Sequence, residues 1–211
     1  MLEPLIKPLT LLGFLAVNLV AFALWAPPAG AMTLSDATDR IHALGNDAQA
    51  VLTQGDLSRA QREAAFAELL EESFALATIG RHVLGDTWQT ASELQRASFQ
   101  KVFNRYLLQT FAARMGEVVE SRFRIDGAEA LSKLDVQVTM VVGAIPGLNR
   151  ELNWRLRDIG GDHRVVDVLI DGISMASTLR QEFGSVIRSH DLDSLMAVLE
   201  AKTRSLIATA R

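Results

Sequence analysis

Hydrophobic residues in this chain repeat first with a helical period, then with a period of two, then with a helical period again. From Leu34 the apolar positions Leu34, Ala37, Ile41, Leu44, Ala48 and Val51 step by three and four. They fall on one side of a helix expected to end near Gln54-Gly55. Ser58 and Gln61 stand at capping-box spacing, and Phe66, Leu69, Leu70, Phe74 and Ala77 continue a second helix from it. Gly80 to Thr90 (GRHVLGDTWQT) interrupts the period with two glycines and a tryptophan. Ser92 and Gln95 then repeat the capping spacing, and Phe99, Val102, Phe103, Tyr106, Leu107, Thr110 and Phe111 form the most aromatic stripe, with Gly116 as its expected stop.

Alternation takes over beyond that glycine. Val119, Phe123 and Ile125 can share one face of a strand, as can Val136, Val138, Met140 and Val142, then Leu152, Trp154 and Leu156, then Val166, Val168 and Ile170. Turns are expected at Asp126-Gly127, Pro146-Gly147 and Gly160-Gly161, which makes an antiparallel meander. The opposite phase is polar, with Arg150, Glu151, Asn153, Arg155 and Arg157, so one face of the sheet meets water. After Asp171-Gly172, Ser174 is placed to cap a helix carrying Met175, Leu179, Phe183, Val186 and Ile187, and Leu192, Leu195, Met196, Leu199, Thr203 and Leu206 make a last one. The fold class is therefore α+β: three helices, a sheet, two helices.

The start of the chain reads differently. Lys7, an apolar run from Leu9 to Trp25 and the exit Ala29-Gly30-Ala31 have the form of a secretory signal peptide over residues 1–31, with cleavage near Ala31; the alternative is an uncleaved anchor. Residues 32–211 are long enough for one domain with a substantial core and short for two. There is no cysteine, so an exported product relies on apolar packing and not on disulfides. The formal net charge is −4, and Lys and Arg are scattered without a basic stripe, which argues against nucleic acid as a partner.

No catalytic constellation emerges. His42, His82, His163 and His190 lie in separate segments without metal-ligand spacing, so neither a metal nor a catalytic site is expected. Asp167, Asp171 and Ser174 lack a nucleophile elbow around them; Asp167 sits on the polar phase, where solvation or pairing with Arg155 or Arg164 is expected, and Ser174 is read as a cap. The GAIPG stretch from Gly143 to Gly147 has neither the lysine nor the helix start of a phosphate loop. What remains is abundant apolar material, which composition alone assigns to an ordinary filled core before a ligand cavity, and which periodicity does not resolve.

Three blocks narrow the choice. RHVLGDTW (Arg81–Trp88), ASELQRASFQKVFNRYLLQTFAARM (Ala91–Met115) and VVDVLIDGISMASTLRQEFGSVIRSHDLDSLMAVL (Val165–Leu199) occur in the order and spacing of the MlaC and toluene-tolerance auxiliary family of periplasmic lipid carriers, which the chain resembles. It departs from the family pattern at Asp162-His163 and near Phe111, where an aromatic residue and a tyrosine are common. The resemblance implies helices packed on a curved antiparallel sheet of four or more strands, enclosing an apolar pocket for phospholipid tails. It implies phospholipid as cargo, no cofactor and no enzymatic activity. It further implies exchange, in the periplasm, with an outer-membrane lipoprotein complex and an inner-membrane ABC transporter bearing an MCE-domain subunit, in the service of outer-membrane lipid asymmetry. On that implied fold the lining is Phe74, Val83, Leu84, Trp88, Phe99, Phe103, Leu107, Phe111, Val119, Phe123, Val138, Met140, Trp154, Val166, Val168, Ile170, Ile173, Met175 and Leu179. The block Ile173–Phe183 is also similar to a hopanoid-associated branch, HpnM, so a hopanoid-like cargo is the alternative, and a solid-cored adaptor of the transporter is another.

Overall fold

Reciprocal caps set where the first helices begin. In the computed structural model, which describes residues 32–113, 122–145 and 148–209, the Thr33 hydroxyl accepts from the Asp36 N–H while the Asp36 carboxylate accepts from the Thr33 N–H. Helix α1 runs from there over Leu34–Thr53. Ser58 and Gln61 make the same exchange at the start of α2, Arg59–Ser73. The expected stripe of α2 stops at Phe74, which is extended and bridges in parallel to Val165, and the Ala75 N–H donates to the Val165 carbonyl at 2.9 Å. Ala77 belongs instead to α3, Leu76–Leu84.

The segment from Gly80 to Thr90 was expected to be irregular and is largely helical: α3 passes through Gly80, and a short α4 spans Asp86–Thr90. Gly80 serves close approach and not a turn. A Cβ there would lie 2.5 Å from Gln100 Oε1, so glycine is what lets α3 lie against α5, Glu93–Ala113. The break falls at Gly85, with φ +59, a backbone state that side chains disfavour. The Ser92–Gln95 box caps α5 as its spacing predicts, while the stop assigned to Gly116 lies outside the described residues.

Among the described residues, five strands form one antiparallel sheet in chain order: β1 Arg122–Ala130, β2 Asp135–Ile145, β3 Leu148–Ile159, β4 Asp162–Ile170 and β5 Ile173–Ser174. Asp126-Gly127 is not the expected turn. The β1–β2 register shifts there, and this bulge keeps Phe123, Ile125 and Ala128 all against the core; the chain turns at Leu131–Leu134. Pairing of Ile145 with Leu148 brackets Pro146-Gly147, which lie outside the described residues. Gly160 and Gly161 make the β3–β4 turn with φ +67 and +94. A second bulge sits in β4: Arg155 pairs with Asp167 and Leu156 with Val165, leaving Val166 as the extra residue. The bulge adds Val165 to the alternating set Val166, Val168, Ile170, and the most deeply buried β4 positions are Val165 and Val168. The two-residue β5, too short to show a period, leads directly into α6, Met175–Ser189, and α7 follows over Leu192–Thr209.

Two layers of packing result. α1 lies on β1 and β2, where a Cβ on Gly45 would come within 2.5 Å of the Phe123 ring. α5, α6 and α7 close a helical core around Phe99 and Phe103, which are fully buried and stacked at 5.5 Å, with Phe183 edge-on to Phe103 at 6.3 Å and Leu195 and Leu199 beneath. The polar phase of the sheet is tied by a forked pair: Arg157 Nε and Nη2 donate to the two oxygens of Asp135 at 2.6 and 2.8 Å. Those bonds hold the Asp135 carboxyl below its ordinary value and raise the arginine. Because the folded-state value is depressed, the stabilisation is complete above the unfolded carboxyl's pKa near 4 and is lost as pH falls through the lower folded value. Asp135→Asn is expected to cost about 1 kcal/mol at neutral pH, roughly 2–4 °C in Tm, with the difference from wild type shrinking in acid. Thermal unfolding at neutral and acidic pH checks this.

Candidate functional site

Where the helices meet β4, the packing leaves an apolar cavity of about 20 Å³. Its wall is assembled from five segments: Phe74 at the end of α2, Ile79 of α3, Leu107 and Phe111 of α5, Val166, Asp167 and Val168 of β4, and Met175, Ala176 and Leu179 of α6. Phe74 is central to the aromatic part, with Phe111 tilted against it at 5.9 Å and Trp154 edge-on at 6.2 Å. The parallel bridge to Val165 fixes Phe74 in place.

Asp167 is the one carboxylate in that lining, and its oxygens are engaged at the wall itself. Although it stays on the polar phase, opposite Arg155 in the ladder, it is only 8% exposed, because Ser174 and the start of α6 fold over it. Oδ1 accepts from the N–H groups of Val168 at 2.9 Å and Ala176 at 3.0 Å, and Oδ2 accepts from the Ser174 hydroxyl at 2.6 Å. Ser174 in turn accepts from the Ser177 N–H at 3.0 Å. The two residues thus cap the first turn of α6, satisfying N–H groups that a helix start leaves without intrahelical partners. The pair that could have been taken for part of a hydrolase is committed to holding α6 on the sheet. Arg164, an expected partner of Asp167, pairs with Asp162 at 3.3 Å instead.

α6 is also fastened to α3. Arg180 donates to the His82 carbonyl at 3.1 Å and lies over Gly85, where a Cβ would approach its guanidinium to 3.0 Å. Together α3 and α6 make one side of the cavity; the tie from Asp167 meets the start of α6, and the tie from Arg180 meets the last turn of α3.

Seven of the nineteen lining positions named from the sequence come together here: Phe74, Leu107, Phe111, Val166, Val168, Met175 and Leu179. Trp154 adjoins them through Phe74 and pairs across the ladder with Val168. The others are placed elsewhere. Phe99 and Phe103 fill the solid helical core; Val83 and Leu84 are buried in α3; Trp88 carries Arg96 at 5.8 Å from its ring. Phe123 packs under α1 against Gly45, Val138 and Met140 are buried mid-sheet, and Ile170 is partly buried at the end of β4. Ile173 is 65% exposed, because it follows the left-handed Asp171-Gly172 turn on the short edge strand β5. Val119 lies outside the described residues. Ile79, Ala176 and Asp167 line the cavity outside the expected lining; the first two carry no signal beyond ordinary helical apolarity, and the third depends on contacts with Ser174 and Ala176.

Among the described residues no three histidine, aspartate or glutamate side chains gather closely enough to hold a metal ion, and no helix is long and apolar enough to cross a membrane.

The chain is similar to known proteins. A family model described as MlaC protein matches residues 43–201. The toluene tolerance protein Ttg2D of Pseudomonas putida is 28% identical over 106 residues, a stretch that spans about half of each protein, 49% of this chain and 48% of the relative. Among solved structures, the phospholipid-binding protein from Ralstonia solanacearum in complex with a phospholipid superposes with a TM-score of 0.70 at 19% identity, covering 81% of this chain and 98% of the other. The fold is therefore shared with a protein whose crystal contains a bound phospholipid.

Proposed function

Since the chain belongs to the MlaC protein family, we propose that it is a periplasmic phospholipid carrier, moving lipid between an outer-membrane lipoprotein complex and an inner-membrane ABC transporter with an MCE-domain subunit and so maintaining outer-membrane lipid asymmetry. Residues 1–31 would direct export, and residues 32–211 would form the carrier domain. The observation that carries this reading is the apolar cavity between β4 and the α3–α6 wall, at which the one carboxylate is already spent on capping. Such a site offers hydrocarbon a dry lining and offers a polar reactant no free nucleophile.

The energetics favour enclosure of tails. A chain of about 16 carbons, at roughly 0.8 kcal/mol per methylene, costs on the order of 13 kcal/mol to leave in water. A soluble carrier has to cover nearly all of it, while the head group can remain outside. Pockets for ligands of ordinary size run to roughly 300–1,000 Å³, far above the 20 Å³ present. Entry of acyl chains on this reading therefore requires α3 and α6 to move away from β4, and the same movement releases cargo at the far membrane. Ties at element ends, Asp167 to Ala176 and Arg180 to His82, suit a wall that hinges.

The test is transfer. Vesicles carrying a fluorescent phospholipid with a quencher should give up lipid to acceptor vesicles in proportion to the protein added, through a soluble complex recoverable free of vesicles. A folded protein that neither extracts nor delivers phospholipid sinks the carrier reading in favour of an adaptor; delivery of hopanoid alone moves it to the hopanoid branch.

A further inference from the structure

Buried polar groups in folded proteins nearly always have a hydrogen-bond partner, so one without a partner next to a candidate site calls for an explanation. The indole Nε1–H of Trp154 is buried and has no partner among the described residues. It is not remote from the candidate site: the ring stands edge-on to Phe74 at 6.2 Å, and Val168 is its ladder partner, both of them in the cavity wall. An indole is a donor only, so what complements it is an acceptor oxygen.

We propose that Trp154 Nε1–H donates to an ester carbonyl of the bound lipid, at the junction of acyl chain and glycerol. The inference rests on the reading that this cavity receives acyl chains, and it adds the chemical class: acyl-ester lipids are selected over ether-linked or purely hydrocarbon amphiphiles. An apolar cavity alone grips every tail alike. One donor just behind that wall, next to Phe74 and Val168, favours a lipid that brings a strong carbonyl acceptor over one that offers only a weaker ether oxygen or none. The tryptophan is thus a specificity-determining residue, and Phe74 is the group that fixes its orientation.

The experiment compares binding of dipalmitoyl phosphatidylglycerol with its di-O-hexadecyl ether analogue, to wild type and to Trp154→Phe. Wild type should prefer the ester lipid by about tenfold, the scale of one buried hydrogen bond left unmade. In Trp154→Phe the ester lipid should weaken by that factor and the preference should vanish. Equal affinity of wild type for both lipids overturns the proposal, as does a preference that survives in Trp154→Phe, which would assign the donor elsewhere. If the variant does not fold, 5-fluorotryptophan in the wild-type protein gives an independent readout: the resonance of residue 154 should shift on loading the ester lipid beyond its shift with the ether lipid, and identical shifts overturn the assignment. Failure of folded wild type to bind either lipid is a different result, and it removes the carrier reading itself.

Discussion

Asp167→Ala is expected to lower stability by about 3 kcal/mol, the combined effect of removing a charge-assisted acceptor and leaving buried N–H groups unpaired. For a domain of this size that corresponds to roughly 6–12 °C in Tm. Ala176 and Val168 lose the acceptor of their N–H groups, and the Ser174 hydroxyl loses its short bond. Asp167→Asn keeps the shape and one oxygen and should retain part of the loss. The effect is directional: the residues set free are those that fasten the start of α6, so hydrogen exchange should rise over Met175–Leu179 before it rises around Phe99 and Phe103 in the helical core. If the Tm of Asp167→Ala stays within about 1 °C of wild type, the cap is not holding α6.

The second large effect is expected from filling the cavity. Val166 is the extra residue of the β4 bulge and is half-buried, so a larger side chain meets less resistance there than at Val138, which is fully enclosed in the sheet. Val166→Trp introduces an indole far larger than the 20 Å³ available. Its stability cost is expected to be about 1–3 kcal/mol, as for other overpacked sites, while phospholipid transfer should fall by more than tenfold, since every tail would have to displace the ring. Val138→Trp gives the contrasting result, a protein that loses stability first. Transfer by a folded Val166→Trp at the wild-type rate would place the tails elsewhere in the molecule.

These contrasts also show how far the chain could be read without its structure. Helix starts were legible because capping is a local exchange between residues three apart, and Ser58–Gln61 and Ser92–Gln95 both form as their spacing requires. The meander was legible from alternation. What escaped were events set by partners distant in sequence: Gly80 reads as a breaker until Gln100 is seen occupying the space of its missing side chain, and Asp126-Gly127 reads as a turn until the bulge is seen to keep Ala128 against the core. The site suffered in the same way. Phe99 and Val168 look alike as inward apolar positions, yet one stacks in a filled helical core and the other lines the cavity. No period distinguishes a packed interior from a hollow one. The burial of Asp167 likewise depends on Ser174 and Ala176 folding back onto it, which alternation does not record.

A carrier of this kind holds phospholipid by its tails within residues 32–211. The most direct measurement is native mass spectrometry of the protein purified from cells without detergent, followed by solvent extraction and identification of what is released. The account predicts about one diacyl phospholipid per folded chain, lost in Val166→Trp. A stably folded protein that is empty as isolated and stays empty after incubation with phospholipid vesicles would contradict it.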